Sequence, residues 1–251
     1  MTAEIIICTS LYGSNPKYRS GAMQSAADAE TMRERYPGLK LVIYYDSSVP
    51  MSTLSALQGF PNLELVLVNS PWAGVGTLPS IYRFFGFRDY QTADLVATYD
   101  LDNKINCKFF VEMLQNALEG DSVFYFLKKS NAPKGRPLNA DCWLGIPARS
   151  AIFPEICNSM SNQLLDFMGT MDDFEYGCDE RILKFVVEGL VKYNCPESRI
   201  YRFYRNRIFN DSMHYDETQR QPVDASHVLK LESKLAASSA QFVPRRELAL
   251  P

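Results

Sequence analysis

Leu78–Ile105 reads LPSIYRFFGFRDYQTADLVATYDLDNKI, and its second half decides the fold. Asp94–Tyr99, DLVATY, is an apolar, partly β-branched run of strand length, and Asp100-Leu101-Asp102 follows it directly. Alternate side chains of an extended chain share one side, so Asp100 and Asp102 point the same way. Neighbouring carboxylates repel, and they sit together stably when a cation lies between them. Hard ions such as Mg2+ and Mn2+ take oxygen ligands and share them with substrate phosphates. The plainer reading is a strand end with two acids solvated in a turn. The surrounding chain decides between the two.

Upstream, Leu78–Phe87 reads as an aromatic-rich helix carrying Arg83. Before it, Ile5–Thr9 is a short β-branched strand that runs into the turn residues Ser10–Pro16. Lys17–Tyr36 reads as a helix stopped by Pro37-Gly38. Leu39–Tyr45 is a strand ending at Asp46, Met51–Gly59 a short helix, and Leu63–Val68 a third strand. Strand and helix alternate, which predicts a right-handed, mostly parallel sheet with helices on both faces. Ligands of such sheets bind beyond the carboxyl ends of the strands, which puts Thr9–Asn15 and Asp46 on the rim.

Downstream, Phe109–Glu119 is an amphipathic helix, Ser122–Leu127 a strand, and Lys128–Asn139 a polar Pro/Gly loop. Trp143–Pro147 and Ile200–Phe209 are strand-like, while Ile152–Met168 and Asp179–Lys192 are helical. Apolar density falls after about residue 210, with a solvent-facing helix expected over Ala225–Ala240 and a tail beyond it.

Composition narrows the class. Of 251 residues, 46% are hydrophobic and 22% charged, which is ordinary globular composition. A formal net charge of -3 argues against a general nucleic-acid binder. Six cysteines without a C-x-x-C pair, and only two histidines, argue against structural zinc. MTAEIIICTSLYG lacks the basic region of a signal peptide, and no stretch has the 18 apolar residues of a membrane span. The expectation is a cytoplasmic protein with free thiols.

In order and spacing, these segments resemble glycosyltransferases of the GT-A fold. The likeness runs over roughly residues 4–190. It is carried by IIICTSLYG, the strand ending in Asp46, the arginine-bearing helix, and the hydrophobic strand before D-x-D. Two later segments add to it: Asn139–Gly145 (NADCWLG) and Tyr176–Leu183 (YGCDERIL). The chain is also similar to the short glycosyltransferases of large algal viruses, for which the compartment would be the host cytoplasm. The resemblance implies an α/β, GT-A-like (Rossmann-like) domain over 1–210. Its nucleotide-binding half would be about 1–105 and its acceptor half about 106–210, with a C-terminal extension over 211–251. The implied activity is transfer of a hexosyl or pentosyl group from a UDP- or GDP-linked sugar to a glycan, glycoprotein or other hydroxyl acceptor, dependent on Mn2+ or Mg2+.

Roles carry over residue by residue. Thr9, Leu11 and Tyr12 would lie along the nucleotide base, Asp46 would bond base or ribose, and Arg83 would reach the donor sugar or diphosphate with its planar fork. Asp100 would meet the ribose or the metal, and Asp102 would bind the metal directly. Trp143 would contact the donor sugar, and Asp141 and Asp179 would sit near sugar and acceptor hydroxyl as catalytic carboxylates. His214 is the positional candidate for a further metal ligand.

Each residue has a plainer reading. Tyr12 could pack on a neighbour, Asp46 could cap the next helix, Arg83 could pair with Asp89 or Asp94, Trp143 could be core, and Asp179 could favour a helix start. Three other functions compete. A haloacid-dehalogenase-like phosphatase also places D-x-D after a strand, but Lys104 stands where that family has Thr, and three strands precede the motif. A sugar-phosphate nucleotidyltransferase would carry a Gly-rich basic loop, which CTSLYGSNPKYRSG does not match. The third is a non-catalytic, glycan-binding domain of the same fold.

Overall fold

The structure is a computed structural model and describes residues 2–74, 78–101, 104–129, 142–170, 189–195, 199–205 and 213–215. All of these fall in one compact unit, Met1–Arg220.

Its centre is β1 (Ile5–Leu11), all seven residues of which are buried. β2 (Leu39–Tyr45) lies parallel to β1 on one side, with Leu11 opposite Tyr45, and β3 (Leu63–Leu67) lies parallel beyond β2. On the other side of β1 lies β4 (Leu95–Tyr99), also parallel and fully buried, with Cys8 opposite Thr98. Next in the sheet is β6 (Cys142–Gly145), antiparallel to β4 and to β5 (Phe124–Lys129). β5 then pairs in parallel with β7 (Ile200–Arg205), and β8 (Met213–Tyr215) closes the sheet antiparallel to β7. The strand order is β3-β2-β1-β4-β6-β5-β7-β8. This is the mixed, mostly parallel α/β sheet the sequence pattern predicts.

Strand alternation splits the core in two. Ile5, Ile7 and Leu11 of β1 join Leu95, Ala97 and Tyr99 of β4 on one face. That face is covered by α1 (Pro16–Met32), α2 (Met51–Leu57) and α4 (Lys108–Glu119). Ile6 and Cys8 join Val96 on the other face. There they meet the 3-10 helix Leu78–Phe85, α3 (Gly86–Asp89), α5 (Phe153–Thr170) and α6 (Gly189–Asn194).

Local chemistry explains the helix ends. Asn15 caps α1, its Oδ1 accepting from the Lys17 N–H at 2.9 Å, and Pro16 takes the first helical position. The buried stripe of α1 is small: Ala22, Ser25, Ala26 and Ala29, with Asp28 and Met32. Small residues let the helix lie close to the sheet. α4 buries Phe110, Met113, Leu114 and Ala117, an i, i+3, i+4, i+7 stripe.

Two elements depart from expectation. Leu78–Phe85 is a 3-10 helix with all eight residues buried, and only Gly86–Asp89 continues as α-helix. One turn of the 3-10 helix takes in the Ser10 hydroxyl of β1. It donates to the Ser80 carbonyl at 2.9 Å and accepts from the Arg83 N–H at 2.8 Å, so it is spliced between the two ends of one helical turn. β8 has no counterpart in the sequence pattern, and it extends the sheet beyond residue 210, where the extension is expected to begin. Three residues are too few to give a periodic signal. Of the helix expected over Asp179–Lys192, residues 179–188 lie outside the described residues, and so does Ala225–Ala240.

Candidate active site at the sheet's switch point

The chain leaves β1 towards β2 and β3 on one side, then crosses to β4 on the other. The sheet's topological switch point is therefore the crevice beyond the carboxyl ends of β1 and β4, where open α/β sheets bind ligands. Leu11 ends β1 and Tyr99 ends β4, so Tyr12–Gly13 and Asp100-Leu101 flank that crevice. β2 delivers Asp46 to the same rim.

Three loops are tied together there by one carboxylate. Asp46 is fully buried. Its Oδ1 accepts from the Ser48 N–H at 3.0 Å and from the Ser48 hydroxyl, and its Oδ2 accepts from the Gly74 N–H at 3.0 Å. Ser48 Oγ in turn accepts from the Gly13 N–H at 2.7 Å. The loops after β1, β2 and β3 thus share one hydrogen-bond chain. Gly13 and Gly74 sit at φ of 67° and 68°, a region glycine enters without steric cost. A Cβ on Gly74 would also lie 2.8 Å from the Ser48 Cβ. Asp46 does not cap α2, whose N-cap is Pro50 with no side-chain bond.

The other residues singled out in the sequence are spread more widely. Thr9 and Leu11 are buried in β1 on the α1 side of the sheet, so it is Tyr12 and Gly13 that face the rim. Tyr12 is half-buried, its ring 5.4 Å from that of Tyr18. Arg83 is buried, with Nη1 donating to the Ser80 carbonyl at 2.6 Å and its guanidinium 5.3 Å from the Phe84 ring. Asp89 is engaged by the Tyr44 hydroxyl (2.8 Å) and Arg88 (2.7 Å), and Asp94 by the Glu4 N–H (2.7 Å).

Trp143 departs from the expected role along the donor. It is 1% exposed, pairs across the sheet with Thr98, and lies 3.9 Å from Phe126 and 6.0 Å from Phe84 between ring centres. A stacking platform needs an open face, and this ring has the surroundings of a core residue. His214 lies on β8 opposite Tyr204, on the strand at the sheet's edge. Asp102, Asp141 and Asp179 lie outside the described residues.

Asp100 is half-buried at the end of β4. Its neighbour Leu101 is held against α1, where Gly21 allows a close approach. A Cβ on Gly21 would overlap the Leu101 carbonyl oxygen and lie 3.3 Å from its carbon. Downstream, Asn106 Nδ2 donates to Asp28 Oδ1 of α1 at 2.9 Å, and Gln24 Nε2 donates to the same oxygen at 2.7 Å.

Burial pushes the Tyr99 phenol well up, reinforced by the negative charges of Cys107, Asp28 and Asp100. Burial likewise pushes Tyr82 up to about 12. Both are neutral phenols at neutral pH, and neither is a base. Among the described residues no three His, Cys, Asp or Glu side chains form a metal-binding group. A Mg2+-type site needs less from the protein, since one or two carboxylates and the substrate's own phosphate oxygens complete it. Asp100, at the end of β4, is one carboxylate of the kind such an ion takes.

Sequence reading missed Ser10, Ser48, Gly21 and Asn106. Only Ser48 left a local signal, since D-x-S after a strand is the pattern of an Asx-turn.

Sheet order and crevice define a GT-A-type fold. No protein-family model and no curated protein matches the chain. Among solved structures it is similar to the glucosyl-3-phosphoglycerate synthase of M. tuberculosis, with a TM-score of 0.50 and 10% identity over 99% of this chain and 84% of that one. It is also similar to S. aureus TarS 1-349 in complex with UDP (TM-score 0.48, 12% identity, 96% and 67% of the two chains). A third is mouse xyloside xylosyltransferase 1 in its apo form (0.39, 11%, 80% and 84%). At 10% identity the likeness to the synthase establishes the fold alone. Among the described residues no helix is long and apolar enough to cross a membrane.

Proposed function

We propose that the chain is a glycosyltransferase that moves a sugar from a nucleotide-diphosphate sugar to a hydroxyl acceptor. The observation that carries this reading is the crevice between β1 and β4, bounded by the Asp46–Ser48–Gly13–Gly74 chain on one side and Asp100 on the other. The three-loop tie offers a rigid edge for a nucleoside, and Tyr12 is the aromatic face beside it. Asp100 and Asp102 would hold a divalent ion there together with the donor's diphosphate. That ion would neutralise the charge that develops on the departing nucleotide.

The chain's own residues do the rest. The Ser10 hydroxyl fixes the turn that carries Arg83. Arg83 adds positive charge behind the donor, in a buried setting where charge acts strongly. An inverting transfer needs a carboxylate to take the acceptor's proton, and Asp141 and Asp179 are the two candidates. UDP- and GDP-linked sugars are the donor class, and glycans or glycoproteins the acceptor class.

The test is release of nucleotide from a panel of nucleotide sugars with and without Mn2+. The parent chain should turn over at least one donor in an Mn2+-dependent way, and Asp102→Ala should abolish that turnover while leaving the far-UV circular dichroism unchanged. Unchanged activity in Asp102→Ala would refute the metal site.

A further inference from the structure

We infer that Trp72, in the loop after β3, is the aromatic wall on which the donor's nucleobase stacks. The inference rests on the proposed nucleotide-sugar reading and names the side chain that binds the base.

Asp46 is 0% exposed, and both its oxygens are taken, Oδ1 by Ser48 and Oδ2 by the Gly74 N–H. A carboxylate with no open surface does not reach a ligand; this one ties loops together. One of the loops it ties is Ser70–Gly74, and that loop is fixed at both ends. The Ala73 N–H donates to the Ser70 carbonyl at 3.3 Å, which closes a turn, and the Trp72 N–H donates to Ser70 Oγ at 3.2 Å. Two residues past Trp72, the Gly74 N–H reaches Asp46 Oδ2 at 3.0 Å. The tryptophan is therefore carried by a short turn that is held before and after it, at the rim where the loops after β1, β2 and β3 meet.

The chain has two tryptophans. Trp143 is sealed in the core at 1% exposure. Trp72 is half-buried: it packs against the core on the 3-10-helix face of the sheet and keeps part of its surface open. A stacking platform needs both properties, a ring fixed from one side and accessible from another. There is room at the other end of the hydrogen-bond chain as well, since a Cβ built on Gly13 meets nothing within 4 Å. Tyr12 stands next to that glycine. The buried Asp46 charge under this edge disfavours a phosphate and tolerates a neutral ring, so the part of a nucleotide that fits here is its base. Stacking on an aromatic side chain asks only for the π-face that every base has.

The experiment titrates the full chain with UDP and, separately, with GDP, each with Mn2+ present. In Trp143→Phe the only remaining tryptophan is Trp72, and its fluorescence should change as nucleotide binds. By calorimetric titration Trp72→Ala should weaken nucleotide binding by about 5–150-fold, the range for one lost base–aromatic stack. Trp72→Phe keeps a ring and should recover most of that affinity. If Trp72→Ala does not fold, the fluorescence of Trp72 in Trp143→Phe decides alone. Parent-like affinity in Trp72→Ala, or Trp72 fluorescence unmoved by a nucleotide that calorimetry shows to bind, would overturn the stacking role and leave the nucleotide reading standing. No binding of either nucleotide to the parent chain would overturn both.

Discussion

Ser10→Ala is the sharpest test of how the fold holds the turn that carries Arg83. The Ser10 hydroxyl is buried and bridges the Ser80 carbonyl and the Arg83 N–H at 2.9 and 2.8 Å. Truncation removes both bonds. Ser80 keeps the Arg83 Nη1 contact at 2.6 Å, so its carbonyl remains served. The Arg83 N–H loses its hydroxyl partner inside the core, a desolvation cost of about 1–3 kcal/mol, and the lost bond to Ser80 adds about 0.5–1.5 kcal/mol. Partial relaxation of the turn brings the expected total to about 2–3 kcal/mol, a sizeable share of a typical stability of roughly 5–15 kcal/mol. With an m-value near 3 kcal/mol/M, the urea midpoint should fall by about 0.7–1 M. Thr31→Ala is the control. Its hydroxyl also donates to a carbonyl, Ala27 at 3.2 Å, but on the exposed side of α1, so the change should stay within about 0.5 kcal/mol. A Ser10→Ala effect no larger than that of Thr31→Ala would refute the splice as a stabilising contact.

Trp143→Ala should cost about 3–5 kcal/mol in urea unfolding, as for a core ring, while Trp143→Phe should leave donor affinity within a few-fold by calorimetric titration. A large loss of donor affinity in Trp143→Phe would return the ring to the site. The Tyr82 phenol, raised to about 12, makes stability depend on alkaline pH. The unfolded phenol ionises near 10, so the unfolded state loses the proton first. Its contribution is fully present below pH 10 and is lost between 10 and 12. Thermal midpoints should therefore fall over that window, less steeply in Tyr82→Phe than in the parent; equal slopes would contradict the assignment.

The parallel half of the fold was legible because its strands are long apolar runs with clear stops. IIICTSL, LKLVIYY and LVATY are buried on both faces, and burial on both faces writes itself as continuous hydrophobicity. The order of strand and helix then places Asp46 and Asp100 on the same rim. The 3-10 helix was not legible, since it is bonded to a hydroxyl seventy residues upstream in sequence. Trp143 shows the same limit. Its likeness to an acceptor-side segment is a matter of local sequence, whereas its burial is decided by Phe84 and Phe126 from other elements. Gly21 carries no signal in the sequence, and only the approach of Leu101 accounts for a glycine there. Long-range contacts carry no local pattern, and the missed residues are those whose partners are distant.

The central claim is that the crevice between β1 and β4 binds a nucleotide sugar with a divalent ion. A thermal-shift screen of nucleoside diphosphates and nucleotide sugars, with and without Mn2+, tests it most directly. At a hundredfold excess over Kd a ligand stabilises by about 2.7 kcal/mol, which is readily seen. The account predicts a rise in Tm with a UDP- or GDP-linked compound, larger with Mn2+ and reduced to the metal-free level in Asp102→Ala. No shift with any nucleotide, in the presence or absence of Mn2+, would contradict it.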